Sequence, residues 1–257
     1  MITLQEYLAI DAVSFGSLKA MAKSAAHYQA YLNQPATQTA ALNFGSAAHA
    51  MILQPRENLV AIMPEGIDKR TKAGKETFAE FQACSAGKII ITCEEAETIN
   101  GMIQAINQTI WAKSLLSKGL AEQTFQWIDP ETGLPCKSRF DRIYETLVID
   151  YKTTVDASFD GFQRQAIKYG YHLQPAHYLA GLPPESQFVF VAQEKEPPYA
   201  VSVFNADGDF LEYGRAERNR LMKQIMECKE TETYPGYPDK IQPLYLPGWV
   251  KRKDEIS

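Results

Sequence analysis

Apolar positions return at helical spacing through the first part of the chain. In "SFGSLKAMAKSAAHYQAYLNQP", Leu18, Met21, Ala25, Tyr28 and Leu32 recur every three or four residues until Pro35 stops the run. The spacing predicts a helix that Ser14 or Ser17 can cap. A second helix is expected from Ser46 to Leu53, ending before Pro55, with His49 set among small residues that would let another backbone approach. From Glu94 to Lys118 the pattern predicts a long amphipathic helix or helix pair, with Ile99, Ile103, Ile106 and Ile110 on its core-facing side.

The period then falls from 3.6 to two. "EQTFQWID" alternates with Phe125 and Trp127 on one face, and "PETG" supplies turn chemistry. "LPCKSRFDRI" and "TLVIDYKTT" complete an expected three-strand meander. "FDGFQRQAIKYGYHLQPAHYLAG" reads as two helical pieces, with Pro175 either opening the second or kinking a continuous helix. "SQFVFVAQE" and "YAVSVFNAD" are two further strands, followed by the charged amphipathic helix "LEYGRAERNRLMKQIMECKE". The tail from Tyr234 is rich in Pro and Tyr and is expected to wrap over the surface. With no internal repeat and no low-complexity linker, the economical reading is one α/β domain over residues 1–257, with a central mixed sheet flanked by helices. Its parts would be a helical region to about residue 118, a sheet-and-helix region over 119–230, and a tail over 231–257.

Composition narrows this only a little. The 257 residues are enough for a real hydrophobic core, and no run approaches the ~20 apolar residues of a membrane span. "MITLQEYLAI" lacks a basic region followed by an apolar one, so a cytoplasmic protein without a membrane partner is expected. Cys84, Cys93, Cys136 and Cys228 are scattered without a CxxC pair, which argues against a zinc ribbon and a disulfide framework. The net charge of −5 means that nucleic-acid binding would have to rely on local basic clusters. The densest before the tail is Lys69, Arg70, Lys72 and Lys75, whose bland reading is a solvated loop leading into a helix.

The chemistry lies in the two charged apolar strands. Asp150 follows Leu147, Val148 and Ile149 at once, and Lys152 shares its face because strand side chains alternate. Asp141 stands between Phe140 and Ile143 on the strand before, and a hairpin through "YET" would bring it across the ladder from Asp150. Two adjacent carboxylates repel unless something positive lies between them, and hard oxygen donors suit Mg²⁺ or Mn²⁺. An ammonium beside such a cation can offset charge developing on a phosphate. Gln174 and Tyr178, one helical turn apart, can face the same cleft. Alone, a D-x-K tripeptide is commonly a solvated pair and a histidine on a small apolar helix is commonly packed core. Their value lies in the combination.

Taken in order, "GSAAHAMIL", "SRFDRI", "VIDYKTT" and "QPAHY" resemble the PD-(D/E)xK nuclease superfamily, and specifically the RecE-type exonucleases (exodeoxyribonuclease VIII), relatives of the RecB nuclease domain and lambda exonuclease. "SLKAMAKSAAHY", "DKRTKAGKETFAEF", "EQTFQWIDPETGLPCKSRFD" and "YPGYPDKIQPLYLPGW" extend the likeness over nearly the whole chain. The resemblance implies a restriction-endonuclease-like core in a single nuclease domain, bacterial or phage-encoded. It implies a Mg²⁺-dependent enzyme, with Mn²⁺ able to substitute, that degrades one strand of linear duplex DNA from its 5′ end. Its partners would be double-stranded DNA ends and a single-strand annealing recombinase, and it would assemble as a homo-oligomer such as a ring. By position, His49, Asp141 and Asp150 become metal ligands with the backbone carbonyl of Tyr151. Lys152 becomes the catalytic lysine, Gln174 and Tyr178 line the cleft, and Glu122 fits a further acidic position. Lys69, Arg70, Lys72 and Lys75 match a segment assigned here to DNA contact. Related enzymes with an iron–sulfur cluster place three cysteines after the Gln174–Tyr178 helix, whereas only Cys228 follows it here, so no iron–sulfur cluster is expected. Two alternatives stay open: an endonuclease of the same superfamily, and a non-catalytic module that binds DNA ends.

Overall fold

A computed structural model of the chain describes residues 2–33, 39–68 and 70–246. In chain order the described elements are α1 (Leu4–Ala9), α2 (Phe15–Met21), α3 (Ala25–Asn33), α4 (Ala40–Leu53), β1 (Val60–Ile62), α5 (Lys72–Cys84), β2 (Ile89–Ile91), α6 (Cys93–Gln108), α7 (Ile110–Ser117), β3 (Leu120–Ile128), β4 (Pro135–Tyr144), β5 (Leu147–Thr154), α8 (Phe159–Lys168), α9 (Leu173–Leu179), β6 (Gln187–Glu194), β7 (Val201–Asn205) and α10 (Gly208–Thr231).

The central sheet has the order β3-β4-β5-β6-β7. The predicted meander forms its antiparallel half, β5 and β6 run parallel, and β7 returns antiparallel. The parallel step requires a crossover, which α8 and α9 supply. A separate parallel pair, β1 and β2, is joined through α5. Helices cover both faces, as a sheet with apolar side chains on each side requires. On one face Ile149, Tyr151 and Val191 pack with Ala47, Ala48, Ile99, Met102 and Ile106 of α4 and α6. On the other, Phe140, Val148, Phe188 and Phe190 pack with Phe162 of α8 and Tyr178 of α9. Beside them a third cluster joins Leu18, Met21 and Tyr28 of α2 and α3 to Leu221 and Ile225 of α10.

Several predicted boundaries move, each for a local reason. The expected N-terminal helix is two helices. Ser14 and Ser17 are both used in a reciprocal capping box on α2, and Ser24 Oγ accepts from His27 N–H at 3.2 Å as α3 begins. The helix carrying His49 starts earlier than predicted because Thr39 caps it, accepting from Leu42 N–H. The Glu94–Lys118 segment resolves into a pair, with Thr109 closing α6 and opening α7. That break changes the helical phase, so Ile99 and Ile106 are buried while Ile110 is 82% exposed and leaves the predicted stripe. The break between α8 and α9 falls at Gly170 (φ +69°), not at Pro175, which sits in the first turn of α9 where no helical N–H is required of it. Beyond α10 the chain forms no helix or strand to residue 246, with Tyr234 stacked on Tyr28 and the Pro235 carbonyl accepting from Ala26 N–H.

His177 fixes α9 against the sheet. It is fully buried, and its Nε2 lies 3.2 Å from both the Val13 and the Lys137 carbonyl oxygens. Two acceptors require Nε2 to carry the proton and leave Nδ1 bare. Burial, reinforced by Arg218, pushes this histidine down to about 3. Because the unfolded chain binds the proton more readily, the contribution is complete above about pH 6.5 and is lost as pH falls towards about 3. His177→Gln, which keeps an N–H donor but cannot titrate, should flatten this acid limb when unfolding is followed against pH. An acid limb as steep as that of the parent would remove His177 from the account.

Candidate active site

The β4–β5 ladder runs only from Tyr144↔Leu147 to Arg142↔Ile149. One residue further on, Asp141 Oδ2 accepts from Tyr151 N–H at 2.8 Å. The strands therefore part where Asp141 and Asp150 were expected to face each other across the ladder, and a carboxylate replaces a strand carbonyl as acceptor. Asp150 is buried in β5 at 2% exposure, and Lys152 lies two residues on, with its Nζ 2.5 Å from Asp150 Oδ2. Gln174 of α9 donates from Nε2 to Asp150 Oδ1 at 2.5 Å.

The opposite wall comes from α4 and β3. Buried Ala47, Ala48 and Ala50 let α4 pack close, placing His49 with Nδ1 3.6 Å from Asp141 Oδ2 and its ring edge-on to Tyr151. Glu122 interrupts the β3–β4 ladder between Ala121↔Arg142 and Gln123↔Phe140 and holds a left-handed backbone at φ +53°. That conformation is costly for a side chain bearing Cβ, and such strain collects at functional positions. One ligand atom each from His49, Glu122 and Asp141 lies within 4.8 Å of the others.

The electrostatics follow from crowding like charges in a partly dry cleft. Burial raises the Asp141 carboxyl well above its ordinary value and the charge of Asp150 adds to this, outweighing Lys152 and the Tyr151 N–H. Burial pulls His49 down to about 4, and Lys152 pulls it the same way, so at neutral pH it is an uncharged imidazole with a lone pair to offer. Burial opposes the charge on Lys152, yet Asp150 and Asp141 outweigh it and hold the ammonium above its usual pKa. Tyr178 packs on Phe140 and Phe188, and burial keeps its hydroxyl protonated, assisted by Tyr7, Asp150 and Asp141.

Most of the sequence-predicted positions come together here. His49, Glu122, Asp141, Asp150, Tyr151, Lys152, Gln174 and Tyr178 form one cluster, with Tyr151 contributing its backbone while its phenol turns away to Gln193. In the basic segment, Lys69 lies outside the described residues. The Arg70 guanidinium is folded back on Asp68, with Nε to Oδ1 at 2.9 Å and Nη2 to Oδ2 at 3.0 Å. Lys72 and Lys75 are exposed in the first turn of α5.

A divalent cation fits the donor set on structural grounds. Gln174 Oε1 and Asp150 Oδ2 are buried without a hydrogen-bond partner, although Oδ2 touches the Lys152 ammonium. Such orphaned acceptors beside a raised carboxyl are stabilised by positive charge. One neutral imidazole with carboxylate oxygens suits a hard or borderline ion.

Sequence reasoning missed the cations that assemble this site. Arg139 Nε grips Glu122 Oε2 at 2.6 Å while Nη1 donates to the Ile2 carbonyl. Arg142 donates to the carbonyls of Leu53, Lys118 and Gly119, tying the end of the His49 helix to the sheet. Lys137 donates to the carbonyls of Tyr7, Leu8 and Ile10, docking α1. Three cations within "CKSRFDRI", a strand otherwise buried, were the available signal.

A carboxylate pair, a lysine and a glutamine-bearing helix around the split of a mixed sheet define the PD-(D/E)xK nuclease class. The chain belongs to the family described as "PDDEXK-like domain of unknown function (DUF3799)", whose model matches residues 14–246. Among solved structures, a "Putative exonuclease" from Eubacterium rectale matches with a TM-score of 0.64 at 13% identity, covering 96% of each chain. At that identity the likeness speaks for the fold. The crystal structure of SSO0001, at 16% identity over 73% of this chain and 88% of the other, reaches only 0.30 and bears on nothing further. No curated protein matches the chain. No helix among the described residues is long and apolar enough to cross a membrane. Family and fold together support a nuclease hydrolase.

A carboxyl whose folded pKa is raised costs stability increasingly as pH rises from its unfolded value through the folded one. Asp141→Asn should therefore raise the melting temperature of the metal-free protein at neutral pH. It should also abolish the rise that Mn²⁺ gives the parent. A Mn²⁺-induced rise retained in full by the variant would take Asp141 out of the ligand set.

Proposed function

We propose that the protein is a divalent-metal-dependent exodeoxyribonuclease that degrades linear double-stranded DNA, 5′ to 3′, to leave 3′ single-stranded tails for strand annealing. The observation that carries the nuclease part is the buried cluster of Asp141, Asp150 and Lys152, closed by His49 on one side and Gln174 on the other. Polarity, the annealing partner and assembly as a homo-oligomer or ring rest on the resemblance to RecE-type enzymes alone.

His49, Asp141, Asp150 and the Tyr151 backbone would hold Mg²⁺, or Mn²⁺ in its place, with Glu122 at the margin. When bound, the cation supplies Lewis-acid charge for the scissile phosphate and for activating water. The remaining work belongs to the side chains. Lys152, kept charged by its carboxylate neighbours, is placed to offset negative charge that develops on the phosphate. Gln174 holds the Asp150 carboxylate in one rotamer, with its second oxygen against the Lys152 ammonium. Tyr178 supplies an un-ionised wall that adds no further negative charge beside the DNA.

The test is digestion of end-labelled linear duplex beside covalently closed circular DNA, with Mg²⁺ and with EDTA. Loss of 5′ label from linear DNA only, dependent on metal, is the expected result. Cutting of the closed circle would make the protein an endonuclease, and retention of ends without cleavage would make it a binding module. Asp150→Ala should abolish cleavage while leaving the fold largely intact. Lys152→Ala should keep metal binding and lose most of the rate, on the order of the 10²–10³-fold seen when one charge-stabilising donor is removed. Normal turnover in either variant would sink the site assignment.

A further inference from the structure

Lys19 stands near the catalytic cluster and Lys23 beyond it, and neither has an ion-pair partner among the described residues. Lys19, in the last turn of α2, is half-buried, and its ammonium lies 5.2 Å from the centre of the Phe15 ring. Its side chain runs past the corner between α8 and α9. A Cβ placed on Gly170 would lie 3.8 Å from Lys19 Cγ. The next residue of that corner, Tyr171, carries the Lys152 ammonium over its ring at 5.2 Å. Lys19 and Lys152 therefore converge on one corner from two elements. Lys23 follows four residues later, just past the end of α2 in the turn to α3, and is exposed. It lines a cleft of about 440 Å³ between the α2–α3 turn, α10 and the tail, which also carries Arg220 and one acidic residue, Glu227.

No ion pair involves Lys19 or Lys23 among the described residues, whereas Arg70, Arg139, Lys152 and Arg218 each have a carboxylate partner. Burial lowers the pKa of Lys19, and the charges that act on it, those of Lys152 and Lys23, lower it further. A half-buried cation facing only other cations lacks its counter-charge. In a chain with net charge −5, an unneutralised line of positive charge leading out of the cleft is the place where a polyanion is attracted and not repelled.

We propose that Lys19 and Lys23 form a phosphate track along the end of α2 and the turn after it, continuing from Lys152, that grips backbone phosphates of the DNA strand being cut. The inference rests on the nuclease reading above and adds to it the path of the substrate. The track is sequence-independent, since ammonium groups on phosphates position a strand without reading its bases.

The experiment measures linear duplex DNA binding by fluorescence anisotropy from about 50 to about 200 mM salt. It uses the uncut complex formed by Asp150→Asn protein. Lys19→Gln and Lys23→Gln should each weaken binding and each reduce the slope of log affinity against log salt by about 0.9 on duplex, or about 0.7 if the gripped strand is single. Lys19→Arg should restore the slope. Mn²⁺ affinity, titrated in the same variants with Asp150 intact, should be unchanged, because neither lysine touches a proposed ligand. Parental salt slopes in both Gln variants would overturn the track, as would a matching loss of Mn²⁺ affinity, which would place the lysines in the metal centre. Failure of the nuclease reading looks different: the parent would then leave linear DNA uncut with metal present, whatever the salt slopes of the lysine variants.

Discussion

The structure is organised around the confinement of Asp141 and Asp150 with Lys152 in one partly dry cleft. Two carboxylates there cannot both be charged without cost, and the site answers with one ammonium, one amide and one raised carboxyl. The arrangement is poor for stability and useful for chemistry. Removing the ladder pairing beyond Arg142↔Ile149 opens the sheet at the point where a cation would sit, and the Tyr151 N–H that would otherwise be orphaned is satisfied by Asp141 itself. Backbone continuity has been exchanged for a functional carboxylate. The left-handed Glu122 on the next strand is a second local cost at the same place.

Around this cluster, cations from one strand gather the surrounding elements. Lys137, Arg139 and Arg142 of β4 reach respectively the end of α1, Glu122 with the N-terminal Ile2 carbonyl, and the end of α4. Each directs its charge at backbone carbonyls or a carboxylate, the partners a buried cation needs. The helix bearing His49 and the strand bearing Asp141 are thereby tied by Arg142, four residues beyond the histidine on α4. On the other side, His177 ties α9 to the start of β4, which fixes Gln174 against Asp150. The helices that carry His49 and Gln174 are thus tied to the sheet through backbone carbonyls, whereas Glu122, Asp150 and Lys152 are held by other side chains.

The match over residues 14–246 and the likeness to the Eubacterium rectale protein agree on the architecture. The family makes the chain PDDEXK-like, and the cluster supplies the residues that such chemistry requires. What separates exonucleases from endonucleases on this core is how DNA reaches the cleft, which is a property of surfaces and assembly and not of the shared site. Lys19 and Lys23, which have no ion-pair partner among the described residues and continue outward from the paired Lys152, are the part of this surface whose electrostatics point to a substrate path.

The sequence by itself determined the elements and the chemistry. Period-two alternation placed β3 to β7, the charged residues after Leu147–Ile149 marked the site, and the ordered motifs carried the class. These are local signals, set by which side chains can be buried and in which periodicity. Breaks decided by capping were harder to read. Thr109 and Ser24 end and start helices through backbone geometry that a continuous apolar period conceals, and so Ile110 was placed in the core when it lies outside. Only the tertiary structure decided where strand pairing stops, that Glu122 stands with His49 and Asp141, and that Arg139 and Arg142 serve the site. The contacts of Arg139 with Glu122 and of Arg142 with Leu53 join residues 17 and 89 positions apart along the chain. No local pattern encodes which distant carbonyl or carboxylate a buried cation will meet, because that is settled by packing.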